Sequence, residues 1–302
     1  MLQMCVLAAL VLLVPIVARP QPINEALLRA ASQAADLDLP AEPAYLGAFS
    51  APKMALYKPE GAGPFPAIVI QHQCGGLRSS SGTWQNMAIL GWAKEAVARG
   101  YVTLVLDSLG PRGVDSVCYG VKGGVNFPRG VRDAYQAADR LRRLPYVDGD
   151  RIAFAGFSWG AMVGLLASGA NWGDALQAGT RFRAIVAFYP GCFDIRPPAG
   201  TPYSPVQPDT NTPLLVLMGE ADTETPPQEC TARLEPLKLA GKPVDWHTYP
   251  EATHCWDCQN LDRFRKNDFR GTAVEYRYNS DVFKDSAERM FAFISQSVGS
   301  KR

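Results

Sequence analysis

Short apolar runs alternate along the chain with longer stretches in which apolar residues recur at helical spacing. Short runs that are almost continuously hydrophobic are typical of strands covered on both faces. The runs of this kind are PAIVIQ (66–71), YVTLVLD (101–107), RIAFAG (151–156), FRAIVAFYP (182–190), TPLLVLMG (212–219) and PVDWHTYP (243–250). The helical stretches cover residues 84–99, 130–144, 159–168, 226–240 and 280–297. Strands and helices are therefore predicted to alternate through most of the chain.

This alternation predicts an α/β fold with a mostly parallel central sheet and helices on both of its faces. In such a sheet the active site lies at the carboxyl ends of the strands. Residues 46–59 are predicted to supply one or two antiparallel edge strands. Thr225, which precedes two prolines and Gln228, is predicted to cap the helix 226–240. The sequence contains no visible repeat or linker, so residues 19–302 are predicted to form a single α/β domain.

The first eighteen residues differ in pattern from the rest of the chain. They are apolar from Cys5 to Ala18 and are interrupted by Pro15, which makes the apolar stretch short for a bilayer span. Residues 1–18 are predicted to be a signal peptide, so that the mature chain begins near Arg19. The alternative is an uncleaved N-terminal anchor. The expected location is secreted or periplasmic.

The charge balance excludes some classes of partner. The chain has 30 basic and 29 acidic residues, a formal net charge of +1, and no run of like charges or basic stripe. A nucleic-acid partner is therefore not expected. With only three histidines the chain is also not expected to hold a metal. At 302 residues and 47% hydrophobic it can bury a large core, and the composition favours small-molecule chemistry without a cofactor.

An even number of cysteines would remain after removal of the signal peptide. In an oxidising compartment they can form disulfides, and six cysteines allow fifteen pairings. Cys192 and Cys230 are the first candidate pair, because both follow the ends of adjacent predicted strands. The segment 255–258 has the C-x-x-C form but lacks the strand-then-helix setting of a redox motif, which favours a structural role. The six are Cys74, Cys118, Cys192, Cys230, Cys255 and Cys258.

Ser158 lies in the pentapeptide GFSWG (156–160), at the junction of a predicted strand and a predicted helix. A serine on a sharp strand-to-helix turn needs small neighbours, because they let the strand and the helix approach closely and leave the hydroxyl exposed above the sheet. In a chain with 27 glycines the pentapeptide alone is also compatible with a purely structural turn. Its position at the strand end predicts that Ser158 is a nucleophile.

A serine nucleophile needs a base and an acid that orients the base. His254 follows the last predicted core strand and is the predicted base, whereas His72 precedes the serine and His247 lies within a strand. Asp222, just after the strand 212–219, is the predicted acid, and Glu220 and Glu224 are its rivals. The order Ser158, Asp222, His254, each after a successive strand end, predicts a catalytic triad. The alternative for His254 is a solvated loop residue.

An oxyanion hole requires preorganised N–H donors. The backbone N–H of Trp159, directly after the nucleophile, is one predicted donor. The other is expected from the loop HQCGG (72–76), with the N–H of Cys74 favoured and Gln73 next. The alternative for Gly75 and Gly76 is a flexible turn.

Together these motifs resemble the α/β-hydrolase superfamily and, within it, the dienelactone hydrolase family. The resemblance runs from about Lys53 to the C-terminus. Two departures stand out: Ser158 occupies the position where the best-known members carry cysteine, and Gln73 occupies one where glycine is common. The first departure shifts the expectation toward a general serine esterase. The motifs that carry the resemblance are HQCGG (72–76), LDSLGPRG (106–113), GFSWG (156–160), YPGC (189–192), MGEAD with TPP (218–222, 225–227) and ATHCWD (252–257).

The residues and the resemblance predict a serine hydrolase that cleaves esters or lactones of small organic acids. The alternatives are an acyltransferase on the same triad and a catalytically silent ligand-binding module. The resemblance also implies that Arg112 binds an acid group of the substrate, and the alternative is that it pairs with Asp107 or Asp115 and braces its loop. The segments 114–127, 197–211 and 259–280 lack periodicity and are expected to form lids or pocket walls.

Overall fold

The computed structural model describes residues 23–198 and 200–299. The predicted signal peptide, residues 1–18, lies outside them. Across the described ranges, every helix is too short or too polar to cross a bilayer.

A seven-stranded sheet forms the centre of the molecule. Its spatial order is β1-β3-β2-β4-β5-β6-β7, with β1 antiparallel to β3 and all other neighbouring strands parallel. The mostly parallel α/β fold predicted from the sequence is thereby confirmed, and residues 46–59 supply one antiparallel edge strand. The strands are β1 (Ala55–Tyr57), β2 (Phe65–Gln71), β3 (Val102–Leu106), β4 (Val147–Phe157), β5 (Ala184–Phe188), β6 (Leu214–Gly219) and β7 (Val244–Tyr249).

Helices cover both faces of this sheet. On one face α3, α4 and α6 pack against alternate strand residues such as Val69, and on the other face α2 and α7 pack against Ile68 and Ile70. Successive residues of a strand point to opposite faces, which explains why the strand sequences are almost continuously apolar. The helices are α1 (Glu25–Ala30), α2 (Met87–Ala98), α3 (Phe127–Arg142), α4 (Trp159–Ala167), α5 (Ala170–Ala175), α6 (Pro227–Leu239) and α7 (Ser280–Val298).

Three helix starts differ from the prediction. Helix α2 begins three residues later than predicted, at Met87, where the Asn86 side chain caps it. Helix α3 begins three residues earlier, at Phe127, because the Asn126 side chain accepts the N–H of Arg129 and caps the helix. Helix α6 has Pro226 at its N-cap and no side-chain capping bond. The prediction that Thr225 caps this helix is wrong, since its hydroxyl donates to Asp222 instead.

Some short elements were not visible in the sequence pattern. Helices α1 and α5 have six residues each, and the three-residue strands β8 (Arg265–Asn267) and β9 (Ala273–Glu275) form a separate hairpin. The strand β8 reads RKN and is largely exposed, so it shows no hydrophobic alternation. This hairpin lies within segment 259–280, where a pocket wall was expected.

Three disulfides link the six cysteines. The predicted pair Cys192–Cys230 is confirmed, with Cα atoms 4.9 Å apart. Cys74 pairs with Cys118 and therefore ties the HQCGG loop to segment 114–127. The third disulfide joins Cys255 and Cys258, directly after His254. Two of the three bonds thus hold loops that carry predicted site residues.

Candidate active site

Ser158 occupies a strained turn between β4 and α4. Its φ of 51° and ψ of −107° lie in a region that residues with a side chain rarely adopt. The turn is tight because a Cβ on Gly156 would lie 2.1 Å from the carbonyl oxygen of Gly160. A Cβ on Gly160 would in turn lie 2.5 Å from the carbonyl oxygen of Gln71 on β2. Both glycines of GFSWG are therefore required by close backbone contacts.

His254 links the serine hydroxyl to a carboxylate. It lies in the loop after β7, with its Nε2 2.9 Å from Ser158 Oγ and its Nδ1 2.7 Å from Asp222 Oδ2. All three side chains are buried. The structure brings together the three residues predicted as a triad, in the order of contacts that a serine nucleophile requires.

Several hydrogen-bond donors besides His254 hold the carboxylate of Asp222. Its Oδ1 accepts the backbone N–H groups of Glu224 and Thr225, both at 2.9 Å. Its Oδ2 accepts the Thr225 hydroxyl at 2.8 Å as well as His254 Nδ1. The loop after β6 therefore holds the carboxylate in one orientation.

The charge environment favours the protonated form of His254. Burial alone would lower the pKa of this imidazole, but the charges of Asp222 and Glu224 and the hydrogen bond to Asp222 outweigh it. The net effect raises the pKa of His254 above its ordinary value. The imidazole of His254 is therefore well suited to hold a proton taken from the serine.

The loop after β2 lies beside the first turn of α4. The N–H of Gly160 donates to the carbonyl of His72 at 3.2 Å, which places residues 72–76 next to the serine turn. Within the described residues, the N–H groups of Cys74 and Trp159 donate to no protein acceptor. The two N–H groups predicted as oxyanion donors thus lie on neighbouring segments and are not used by other hydrogen bonds.

A buried polar network connects this loop to the loop of His254. The amide nitrogen of Gln73 donates to Tyr189 Oη at 3.0 Å, and Tyr189 donates to Asp257 Oδ1 at 2.8 Å. Trp92 Nε1 donates to the other carboxylate oxygen of Asp257 at 2.7 Å. The Gln73 side chain also lies 3.8 Å from the sulfur of Cys255. Sequence reasoning did not identify Asp257 as part of the site, because its partners lie far away in the chain.

Glu224 was a rival for the place of Asp222, and the structure gives it another position. Its Oε2 lies 3.9 Å from His254 Nε2, on the side of the ring away from Asp222. Lys266 and Tyr276, both from segment 259–280, bind its two carboxylate oxygens. The sequence carried no signal for Lys266 or Tyr276, since neither follows a periodic pattern.

Arg112 is bound to other protein groups. Its two terminal nitrogens donate to the two carboxylate oxygens of Asp133 at 2.7 and 2.9 Å, and its other donors reach the carbonyls of Ser108 and Ala35. Its side chain is 7% exposed. The guanidinium fork is therefore already occupied, and the geometry favours the loop-bracing alternative over contact with a substrate acid group.

The partner of Arg112 also differs from the two that were considered. Asp107 accepts the N–H groups of Leu109 and Gly110, and Asp115 binds Ser80. Asp107 is used within its own turn and Asp115 holds a loop 35 residues earlier, so the alternative in which one of them pairs with Arg112 is wrong.

The side chains of the other two histidines bind groups other than the serine hydroxyl. His72 is fully buried, with Nδ1 2.6 Å from the carbonyl of Gln73 and Nε2 3.1 Å from the N–H of Ser108. His247 lies on β7, as expected, and contacts the ring of Tyr249. His72 therefore joins the loop after β2 to the loop after β3.

Comparison with known proteins identifies relatives of different lengths. "Probable dipeptidyl-aminopeptidase B" of Fusarium vanettenii is 30% identical over an alignment of 235 residues that covers 72% of this chain and 25% of that protein. "Putative carboxymethylenebutenolidase" of Methylorubrum extorquens is 27% identical over an alignment of 214 residues that covers 68% of each protein. The chain spans between 19% and 25% of the dipeptidyl peptidases that it matches.

Solved structures share the fold, and a family model covers most of the chain. The apo form of Thermogutta terrifontis esterase 2 has a TM-score of 0.61 at 16% identity, over 88% of this chain and 98% of that one. This similarity shows the α/β-hydrolase fold. The model described as the dienelactone hydrolase family matches residues 53–298. With that match, the chain belongs to the dienelactone hydrolase family.

Proposed function

We propose that the protein is a serine hydrolase that cleaves carboxylic esters or lactones of small organic acids. The observation that carries the proposal is the pair of hydrogen bonds from Ser158 Oγ through His254 to Asp222, at 2.9 and 2.7 Å. A serine hydroxyl becomes a strong nucleophile only when such a base removes its proton. Membership of the dienelactone hydrolase family supports the same reaction class.

In the first half of the proposed reaction, Ser158 Oγ attacks the carbonyl carbon of the substrate while its proton passes to His254 Nε2. The carbonyl oxygen becomes negative, and the N–H groups of Trp159 and Cys74 stabilise it. The imidazolium of His254 then gives its proton to the oxygen of the leaving alcohol. The C–O bond breaks, and the acyl group remains as an ester on Ser158.

In the second half a water molecule attacks this acyl ester. His254 Nε2 takes the proton of the water and returns it to Ser158 Oγ as the acid departs. In a lactone the leaving alcohol stays attached to the acyl group, so the product is a hydroxy acid. If an alcohol attacked in place of water, the product would be a new ester, which is the acyltransferase alternative.

The substrate pocket of this proposal borders two loop segments. Tyr276 of segment 259–280 lies beside His254 and Lys266 of the same segment binds Glu224, whereas the Cys74–Cys118 disulfide connects the loop 72–76 to segment 114–127. Since Arg112 is occupied by Asp133, we do not assign it a substrate contact. The three disulfides support the further proposal that the protein works in an oxidising compartment, secreted or periplasmic.

A hydrolysis screen with matched variants tests the function. Short-chain, aryl and lactone esters are offered to the wild type, to Ser158→Ala and to Ser81→Ala, a control at an exposed serine. Turnover by the wild type and by Ser81→Ala, with loss in Ser158→Ala, is the expected result. A fluorophosphonate should label Ser158 covalently, and the absence of both labelling and turnover would favour a silent binding module. Product analysis with added alcohols separates hydrolysis from acyl transfer.

A further inference from the structure

Two carboxylates lie against the imidazole of His254, one on each side. Asp222 contacts Nδ1, as the proposed triad requires. Glu224, two residues further along the same loop, has its Oε2 3.9 Å from Nε2, the nitrogen that faces Ser158 Oγ. The Glu224 side chain is 11% exposed. The second carboxylate is therefore close to the nitrogen that would receive the serine proton, and it is shielded from water.

The Glu224 side chain is held in this position from segment 259–280. Tyr276 Oη donates to its Oε2 at 2.8 Å, and Lys266 Nζ donates to its Oε1 at 2.7 Å. Arg270 donates to the backbone carbonyl of the same residue. These contacts fix the carboxylate toward the base, and they satisfy only part of its capacity to accept hydrogen bonds.

Glu224 is charged at neutral pH. Burial raises the pKa of its carboxyl, but the charges of His254 and Lys266 and the hydrogen bonds from Lys266 and Tyr276 outweigh burial and lower the pKa overall. A negative charge in a buried site interacts more strongly with a neighbouring cation than it would in water. Formation of the imidazolium during the reaction would therefore strengthen the attraction between His254 and Glu224.

We propose that Glu224 is a positioning residue for the reaction: it stabilises the imidazolium of His254 from the Nε2 side, and Lys266 limits this effect by neutralising part of its charge. The proposal rests on the proposed function, in which His254 is the base. It adds a residue that acts through His254 and that the usual serine, histidine and aspartate set does not contain. Segment 259–280 thereby contributes to catalysis as well as to the pocket wall.

Other groups also face His254 and stay unchanged in the test. Asp222 lies on the β6 loop, Tyr189 follows β5 with its ring 4.7 Å from the imidazole, and Tyr276 lies 5.6 Å away ring to ring. Asp257, on the same loop as His254, also interacts with its charge. Because these groups are common to all variants, differences in the behaviour of His254 report Glu224 and Lys266.

The test uses Glu224→Gln and Lys266→Gln in the full chain. Glutamine keeps the shape of Glu224 but lacks the charge; its one oxygen can accept from Lys266, while its NH2 group can donate to Tyr276 Oη. The acid limb of the pH profile of kcat/KM reports the base of the free enzyme. We expect Glu224→Gln to move this limb to lower pH and to reduce the plateau kcat by about three- to tenfold. Lys266→Gln should move the limb in the opposite direction, to higher pH.

Glu220→Gln is the matched control. Glu220 precedes Asp222 on the same loop, is exposed and accepts a hydrogen bond from Thr248 of β7. Its substitution removes the same charge from the same segment and should leave the acid limb in place. If Glu224→Gln folds poorly, Glu224→Asp keeps the charge but withdraws it from Nε2, and it should also move the limb to lower pH.

A second readout does not depend on turnover. The imidazole of His254 is titrated by NMR in each variant, with its signals identified from a His254→Asn spectrum. Opposite shifts of its titration in Glu224→Gln and Lys266→Gln support the proposal. Unchanged titrations, or shifts in the same direction, overturn it. If instead the opposite NMR shifts were present but neither the wild type nor any variant hydrolysed an ester, that result would contradict the proposed function. It would leave the contact between Glu224 and His254 established.

Discussion

The hydroxyl of Thr225 donates to Asp222 Oδ2 at 2.8 Å and lies 3.1 Å from His254 Nδ1. It therefore sits beside the contact between the acid and the proposed base. The carbonyl of Tyr189 lies 3.2 Å away and can accept from the same hydroxyl. A residue whose position before two prolines suggested a helix cap instead fixes the orientation of a site carboxylate.

Replacing this hydroxyl with a methyl group should reduce catalysis without abolishing it. Thr225→Val keeps the shape of the side chain, but Asp222 loses one donor and is held by the two backbone N–H groups. We expect kcat to fall by about three- to tenfold with little change in KM, and the free energy of unfolding to fall by about 1 kcal/mol. Thr223→Val, at an exposed hydroxyl on the same loop, is the control. An unchanged kcat would show that Asp222 does not need the threonine.

The proposed triad should behave as one unit. Ser158→Ala and His254→Ala should each lower kcat by roughly 10³-fold or more, because either change removes proton transfer from the serine. The double variant should be little worse than either single variant, and Asp222→Asn should cost less than either. Steady-state kinetics on one ester are sufficient. Turnover by Ser158→Ala within about tenfold of wild type would contradict the assignment of the nucleophile.

The sequence predicted the sheet and the triad for the same physical reason. Strands buried on both faces are read from their continuous apolar residues, and a parallel sheet brings their carboxyl ends to one edge. Ser158, Asp222 and His254 each follow such an end, so their meeting could be predicted without knowledge of any loop. The positions of these residues after the strands were enough to predict that the three side chains meet.

The rest of the site depends on loops, and loop conformation has no periodic signal. Lys266 lies on a short exposed strand and Tyr276 just beyond its partner strand, so neither could be placed beside His254. The pairing of Arg112 with Asp133 joins a turn to a buried helix position 21 residues away. The nearest carboxylates in the sequence, Asp107 and Asp115, bind other groups, and no local pattern points to Asp133.

Arg112 should be more important for stability than for selectivity. It shares Asp133 with Arg129, and the two arginines and the aspartate are nearly fully buried. Arg112→Lys keeps the charge but loses the two-pronged contact, and we expect a loss of about 1–3 kcal/mol in the free energy of unfolding. The kcat/KM values for an ester with a free carboxylate and for its neutral amide analogue should change by the same factor. A selective loss on the carboxylate ester would restore the substrate-binding role.

Asp257 should make the fold less stable as the pH rises. Burial raises the pKa of this carboxyl, and the hydrogen bonds from Trp92 and Tyr189 offset only part of that effect. The folded chain then holds its proton at pH values where the unfolded chain has lost it, so stability falls as pH rises from about 4 through the raised pKa. Asp257→Asn removes this dependence. The stability difference between wild type and variant, from urea unfolding, should be largest near pH 4 and shrink toward neutral pH.

Asp285 supplies the opposite case as a control for this experiment. Burial would raise the pKa of its carboxyl, but the hydrogen bonds from Arg289 and Tyr249 outweigh burial and lower it. Its contribution to stability is therefore present near neutral pH and is lost as pH falls through the lowered pKa. The difference between wild type and Asp285→Asn should grow with pH. If the Asp257→Asn difference grew in the same way, the carboxyl of Asp257 would have to be favoured in its charged form.

Two of the disulfides should have different roles: Cys192–Cys230 should mainly stabilise the fold, and Cys255–Cys258 should mainly support the site. Cys192–Cys230 closes a separation of 38 residues, for which chain entropy predicts a stabilisation of about 4 kcal/mol. Cys255–Cys258 closes a separation of 3, for which the same relation gives only about 2 kcal/mol. Its two sulfurs, however, contact the side chain of Gln73 in the loop 72–76, and Cys255 directly follows His254. The shorter disulfide is therefore positioned to hold two site loops together.

Replacing each pair with serine tests this separation. The Cys255→Ser/Cys258→Ser double variant should lose kcat by about tenfold with a modest loss of stability, because Cys255 has a φ of 58° that the closed turn helps to maintain next to His254. The Cys192→Ser/Cys230→Ser variant should lose more stability, and its kcat should stay close to wild type at a temperature where it is folded. Urea unfolding and ester kinetics on the same preparations give both quantities. If kcat fell in proportion to the loss of stability, and by the same proportion in both variants, the short disulfide would have no separate effect on the site.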